Sequence, residues 1–198
     1  MFGGAFDPPH NAHVALARAA IGQLALDELR IVPTGQAWHK ARELSAAEHR
    51  LAMTRLALQG LPGAVVDERE LRRAGASYTI DTLAEFAAEQ PGAALFLLLG
   101  ADQARLLPRW HRWQEILSLA TIVVAEREDT TGATAAFDWE NAAGARHSTL
   151  RLAPMSESAT AVRALARTPG VTPTELARMV PAPVARYIAR HHLYQPAR

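Results

Sequence analysis

Two histidines three positions apart close the most informative stretch of this chain, Gly3-Gly4-Ala5-Phe6-Asp7-Pro8-Pro9-His10-Asn11-Ala12-His13. Glycines let a backbone turn tightly and approach a ligand closely. Prolines stiffen the entry to a helix, and histidines at i and i+3 share one face of its first turn. The free amides and positive dipole of a helix start add to a seat for a polyphosphate. Such a seat suits stabilisation of negative charge on a phosphoryl group under attack. A plainer reading stands beside it: a capped helix start that carries two surface histidines. A zinc site finds little support, because the chain has no cysteine and no HExxH pattern. Neither GxxxxGK[ST] nor a GxGxxG turn after the first strand is present.

Further residues could share that chemistry. Lys40 is the single lysine among 21 basic residues, so arginine bias explains the rest of the set but not this exception. With His39 it lies in a loop, 34–42, that could close over phosphates. Tyr78 and Thr79 stand at an expected helix start, where Thr79 either caps the helix or offers hydroxyl and amides to a carboxylate. Trp110 can stack on a flat ring or pack in the core. Asp102, with Gly100 at a strand's end, can accept from ribose hydroxyls or cap a helix. Ser158, Thr160 and Arg163 open a late helix and form either a second phosphate cradle or an ordinary cap with a surface arginine. Trp113 reads as core, and His191-His192 as surface.

The elements that must position these groups follow from the hydrophobic pattern. Residues 29–33, 64–67, 95–99 and 121–125 read as buried strands, and 149–152 as a weaker fifth. Helices are expected over 13–26, 45–59, 79–90, 113–119 and 158–167, with a helical tail over 173–192 broken near Pro181 and Pro183. Ser45-Ala46-Ala47-Glu48 reads as a capping box. Repeated β-then-α order argues for an α/β fold with a doubly wound parallel sheet, whose ligands bind beyond the carboxyl ends of the strands. Gly3-Gly4 reads as the turn after a first strand, with only Met1 and Phe2 before it. That strand is either very short or continues upstream. The stretch 132–144 gives the weakest pattern.

Composition bounds the rest. A chain of 198 residues with 49% hydrophobic residues can bury one full core, and we expect a single domain over 1–198 with a helical part, about 158–192, packed on it. A net charge of +1 implies no general attraction to nucleic acid or membrane, so any anion site must be local. Absence of cysteine fits a reducing, cytoplasmic location. No apolar run is long enough for a transmembrane helix, and the start lacks the features of a signal peptide. Nothing in the composition speaks against a homo-oligomer.

Taken together, the motifs resemble a known family. The segment 3–13 resembles the GGxFDPxHxGH signature of the nucleotidyltransferases that adenylate mononucleotides. Ile31-Val32-Pro33 through His39-Lys40 resembles the second-strand loop of bacterial nicotinate-nucleotide adenylyltransferases. Val66 to Leu71 and Ser77 to Leu83 resemble that family's DxxEL…SYTxxTL segment, Leu99 to Asp102 its GxD turn, and Pro108-Arg109-Trp110 its P-x-W. Ser158 to Arg163 resembles its terminal IS[SA]TxIR motif. The chain departs at Ala12 for Gly, Ala5 for Thr, Glu157 for an apolar residue and Trp38 for Pro.

The resemblance implies a Rossmann-like nucleotidyltransferase fold and the reaction of ATP with nicotinate mononucleotide to give deamido-NAD and pyrophosphate. It implies Mg2+ carried on the ATP phosphates, with no protein metal site. It places ATP on Gly3, Gly4, Ala5, Phe6, His10, His13, Ser158, Thr160 and Arg163, and ribose near Gly100 and Asp102. The nicotinate mononucleotide falls on Tyr78, Thr79, Trp110, His39 and Lys40, with His13, His10 and Lys40 as the catalytic set. Nicotinamide mononucleotide or phosphopantetheine as acceptor, and a nucleotide sensor without chemistry, remain the rival readings.

Overall fold

The computed structural model describes residues 1–35, 44–127, 146–153 and 155–195. The apolar runs form strands β1 (Phe2–Gly4), β2 (Leu29–Pro33), β3 (Ala64–Val66), β4 (Leu95–Gly100), β5 (Ala120–Arg127) and β6 (His147–Leu152). Their pairing is parallel throughout, in the orders β1-β2-β3 and β4-β5-β6. Two hydrogen bonds join the ladders, from the Leu98 amide to the Met1 carbonyl (2.9 Å) and from the Met1 nitrogen to the Phe96 carbonyl (2.7 Å). The resulting order is 3-2-1-4-5-6, the doubly wound arrangement in which the order of succession of the strands reverses between β1 and β4.

The strands read as near-continuous apolar runs because both faces of the sheet are covered. Along β4 and β5 the side chains alternate. Leu98 and Val123 enter one core with Phe2, Ile31 and Leu150, while Leu97, Leu99, Ile122 and Val124 enter another. The first core is closed by helices α1 (Asn11–Gln23), α2 (Ala47–Leu58) and α7 (Ala159–Ala166), together with α8 (Pro173–Leu176) and α9 (Ala182–Arg190). The second is closed by α4 (Thr79–Glu89), α5 (Ala101–Leu106) and α6 (Trp113–Leu119). Each fully buried leucine in these cores contributes about 2 kcal/mol. Among the described residues, no helix is long and apolar enough to cross a membrane.

Three sequence expectations change. Gly3 and Gly4 lie within β1, paired with Val32 and Pro33, and the turn falls on Ala5 to Asp7. Ser45 does not cap α2: Ala46 holds the cap position, and no side-chain cap bond forms there. Ser45 is engaged elsewhere, its amide on Asp7 Oδ2 (3.2 Å) and its side chain on the Tyr194 hydroxyl. Three short elements escaped the pattern: α3 (Arg69–Arg72), α5 and the 3-10 turn Leu107–Arg109. Each is under two helical turns, too short to display a 3.6-residue period. The stretch 132–144 lies outside the described residues.

Candidate active site

The carboxyl ends of β1, β2 and β4 open onto a cavity of about 740 Å³, within the usual size of a ligand site. Bare backbone forms part of its wall. Gly3, Gly4 and Ala5 face it, and a Cβ on Gly4 would stand 3.1 Å from the Phe6 ring. Phe6 adopts φ of 46°, a region that few non-glycine residues occupy. Its ring is buried edge-on against Phe2 and His13, at centroid distances of 5.4 and 5.1 Å. Phe6 therefore supports the histidine from below, and its side chain is not on the cavity wall.

His10 occupies the cap position of α1, and His13 lies in the first turn. Their rings are 3.7 Å apart, and both line the cavity. The His10 amide donates to His13 Nδ1 at 3.1 Å. A neutral imidazole that accepts at Nδ1 carries its proton on Nε2, so His13 is set as a donor there. Ala12, where the family signature has glycine, also lines the cavity.

The turn before α1 is fastened from several directions. The Asp7 side chain is 1% exposed, and its Oδ1 accepts from the Tyr194 hydroxyl at 2.8 Å. Burial, followed by the Asp7 charge, holds the Tyr194 hydroxyl well above the usual phenol range, so it stays a donor. Arg50, buried in α2, donates Nη1 to the carbonyls of Ala5 (3.1 Å) and Thr34 (2.7 Å), and Nε to that of Ser45 (3.0 Å). Arg163 donates Nη1 to the Asp7 carbonyl (2.8 Å) and Nη2 to Thr160 Oγ1 (3.2 Å). Arg163 and Thr160 thus brace the turn and do not line the cavity, whereas Ser158 does. Ser158 caps α7, accepting from the Ala161 amide at 3.2 Å.

The opposite wall is built by α4, α5 and the 3-10 turn. Tyr78 holds the cap position of α4, and no side-chain cap bond forms. Thr79 is therefore not a cap, and it lines the cavity with Tyr78, Trp110 and Gly100. Asp102 lines it too but does not cap α5, whose cap position is Gly100. Asp102 pairs with Arg105, three residues on and also on the cavity wall. The described residues contain no group of three or more His, Cys, Asp or Glu able to hold a metal. His39, Lys40 and Trp38 lie outside the described residues.

Sequence reasoning missed Arg50, Arg105, Tyr194 and His111. His111 stacks on Tyr78 at 4.5 Å and lines the cavity beside Trp110. Arg105 was discoverable as an i, i+3 partner of Asp102, had α5 been expected. Arg50 looks in sequence like any helix arginine.

A fold and site of this kind define a nucleotide-binding α/β protein with its ligand cleft at the switch point of the sheet. The model of the cytidylyltransferase-like family matches residues 1–175. A protein of Albidiferax ferrireducens named "Probable nicotinate-nucleotide adenylyltransferase" is 57% identical, over 100% of this chain and 98% of its own length. One of the same name from Methylibium petroleiphilum is 43% identical, over 100% of this chain and 92% of its own length. Plasmodium falciparum nicotinic acid mononucleotide adenylyltransferase, solved in complex with NaAD, superposes with a TM-score of 0.78 at 17% identity, covering 98% of this chain and 95% of that one. The chain belongs to the cytidylyltransferase-like family and, within it, to the nicotinate-nucleotide adenylyltransferases.

Proposed function

We propose that the chain, read as one nucleotidyltransferase domain, joins nicotinate mononucleotide to the AMP part of ATP and releases pyrophosphate. The observation that carries this reading is the meeting of His10 and His13 with the Tyr78-Thr79 helix start across a single cavity. A phosphate seat and a ring seat then face each other. The mononucleotide phosphate oxygen attacks the α-phosphorus of ATP in line, the new oxygen–phosphorus bond forms as the bond from the α-phosphorus to the α,β-bridging oxygen breaks, and pyrophosphate leaves. Catalysis is positioning and charge stabilisation. His13 Nε2–H and the backbone from Gly3 to Ala5 meet the phosphates, and the His10 amide holds His13 in the donor tautomer. Magnesium would be carried on the ATP phosphates, since the described residues hold no group of three or more His, Cys, Asp or Glu to bind it. Lys40 and His39 are assigned to the phosphates and the mononucleotide by the resemblance of their segment to the family. Arg163 acts by bracing the turn, and Ser158 contributes at the adenosine end. A cytoplasmic location accords with the cysteine-free composition.

The ring seat favours a carboxylate. The amides of a helix start only donate, which suits a carboxylate, whereas a carboxamide needs an acceptor as well. Trp110 offers an apolar face for the pyridine. The test is pyrophosphate release from ATP and magnesium, with nicotinate and nicotinamide mononucleotides run side by side. Faster release with nicotinate mononucleotide is expected. Binding of ATP without release, with either acceptor, would overturn the reaction in favour of a sensor.

A further inference from the structure

Glu70 takes no part in that chemistry, yet it borders the cavity while only 5% exposed. Its Oε1 accepts from Thr82 Oγ1 at 2.8 Å, and Arg73 Nη1 donates to the same hydroxyl at 3.2 Å. Thr82 is fully buried in α4. The Gly35 amide also donates to the Glu70 carboxylate. Burial pushes this carboxyl above its usual range, and those bonds work against the shift. The Glu70 backbone is engaged as well: its carbonyl accepts from Ser77 Oγ at 3.4 Å. The fit against Gly35 is so close that a Cβ there would stand 2.1 Å from the same carbonyl. One residue of α3 therefore touches the end of β2, the residue before Tyr78, and the first turns of α4.

We propose that Glu70 is a positioning residue for the pyridine mononucleotide: its buried side chain ties Gly35 to Thr82 and so holds the Tyr78-Thr79 helix start against the cavity. The inference rests on the assignment of that helix start as the ring seat. The other end of the cavity, formed by Ser158 and Met155, shares none of these bonds. Loss of Glu70 should therefore act on one substrate and not on the other.

The full chain is compared with Glu70→Ala, Glu70→Gln, Thr82→Val and Thr82→Ser, with each substrate varied separately and amide exchange followed over residues 79–83. Glu70→Ala should raise the mononucleotide KM roughly tenfold or more, the scale of a lost hydrogen bond to a charged group, with the ATP KM within about twofold. Thr82→Val should move it in the same direction. Glu70→Gln and Thr82→Ser, which each keep an acceptor or hydroxyl, should recover part of the loss. Exchange over 79–83 should quicken in Glu70→Ala. An unchanged mononucleotide KM, or equal rises in both KM values, in a wild-type background that turns over would overturn the proposal. A wild type that releases no pyrophosphate would instead sink the reaction assignment, and unchanged exchange over 79–83 would then still overturn the positioning role.

Discussion

A backbone bond sets the tautomer of His13. The His10 amide fills its Nδ1, the Phe6 ring packs against it, and the neutral ring is left with its proton on Nε2. We expect His13→Ala to lower kcat by roughly 10²-fold or more, the scale of a lost oxyanion donor, with the fold intact. Turnover at the wild-type rate, with circular dichroism unchanged, would remove His13 from the catalytic set. Trp110 lies on the other wall, so its loss should weaken the mononucleotide by about 1–3 kcal/mol, as for aromatic stacking on a base. Steady-state KM for the mononucleotide checks this, and an unchanged value would place the indole outside the ring seat.

At the scale of elements, the site is a set of strand ends and helix starts clamped together. Arg50 of α2 grips the turn after β1 and the end of β2 at once, and Arg163 of α7 grips the same turn at Asp7. Gly35 is where the clamp is tightest, because α3 leaves no space for a side chain there. We expect Gly35→Ala to destabilise the chain by about 1–3 kcal/mol, the usual cost of overpacking. Urea denaturation measures it, and a midpoint equal to wild type would show that the β2 end can shift freely. The left-handed conformation at Phe6 belongs to the same clamp, held by packing on both sides of the ring.

Across the whole molecule, stability and site share supports at a distance. Asp67, just beyond β3, accepts from Arg69 and Arg30, and the Arg69 guanidinium lies 4.0 Å over the Phe86 ring of α4. Burial alone would raise the Asp67 carboxyl, but the hydrogen bonds from Arg69 and Arg30 outweigh it and hold the pKa at about 2, below the ordinary 3.8. Between those values the unfolded chain binds the extra proton. The stabilisation is therefore complete above about pH 4 and is lost as the pH falls through about 2. Asp67→Asn should lower stability at pH 7, and the gap from wild type should narrow as the pH falls from 4 toward 2. Denaturation at several pH values tests this, and a pH-independent gap would contradict it.

The sequence alone carried the strand and helix order, because long apolar runs and helix-period segments report burial directly. It placed β2 and α6 at their observed bounds. It also picked out part of the cavity wall, Gly3, Gly4, His10, His13, Tyr78, Thr79 and Trp110 among them, since those segments resemble a known signature. What it did not carry were contacts between distant segments. Arg50 on Ala5, Tyr194 on Asp7 and Glu70 on Gly35 join residues far apart in the chain, and no local pattern announces such pairs. For the same reason Ser45 looked like a cap, and the bond from Arg163 to the Asp7 carbonyl was not legible. Hydrogen-bonding capacity is written in the residue type, but the partner is chosen by the packing that brings strand ends together.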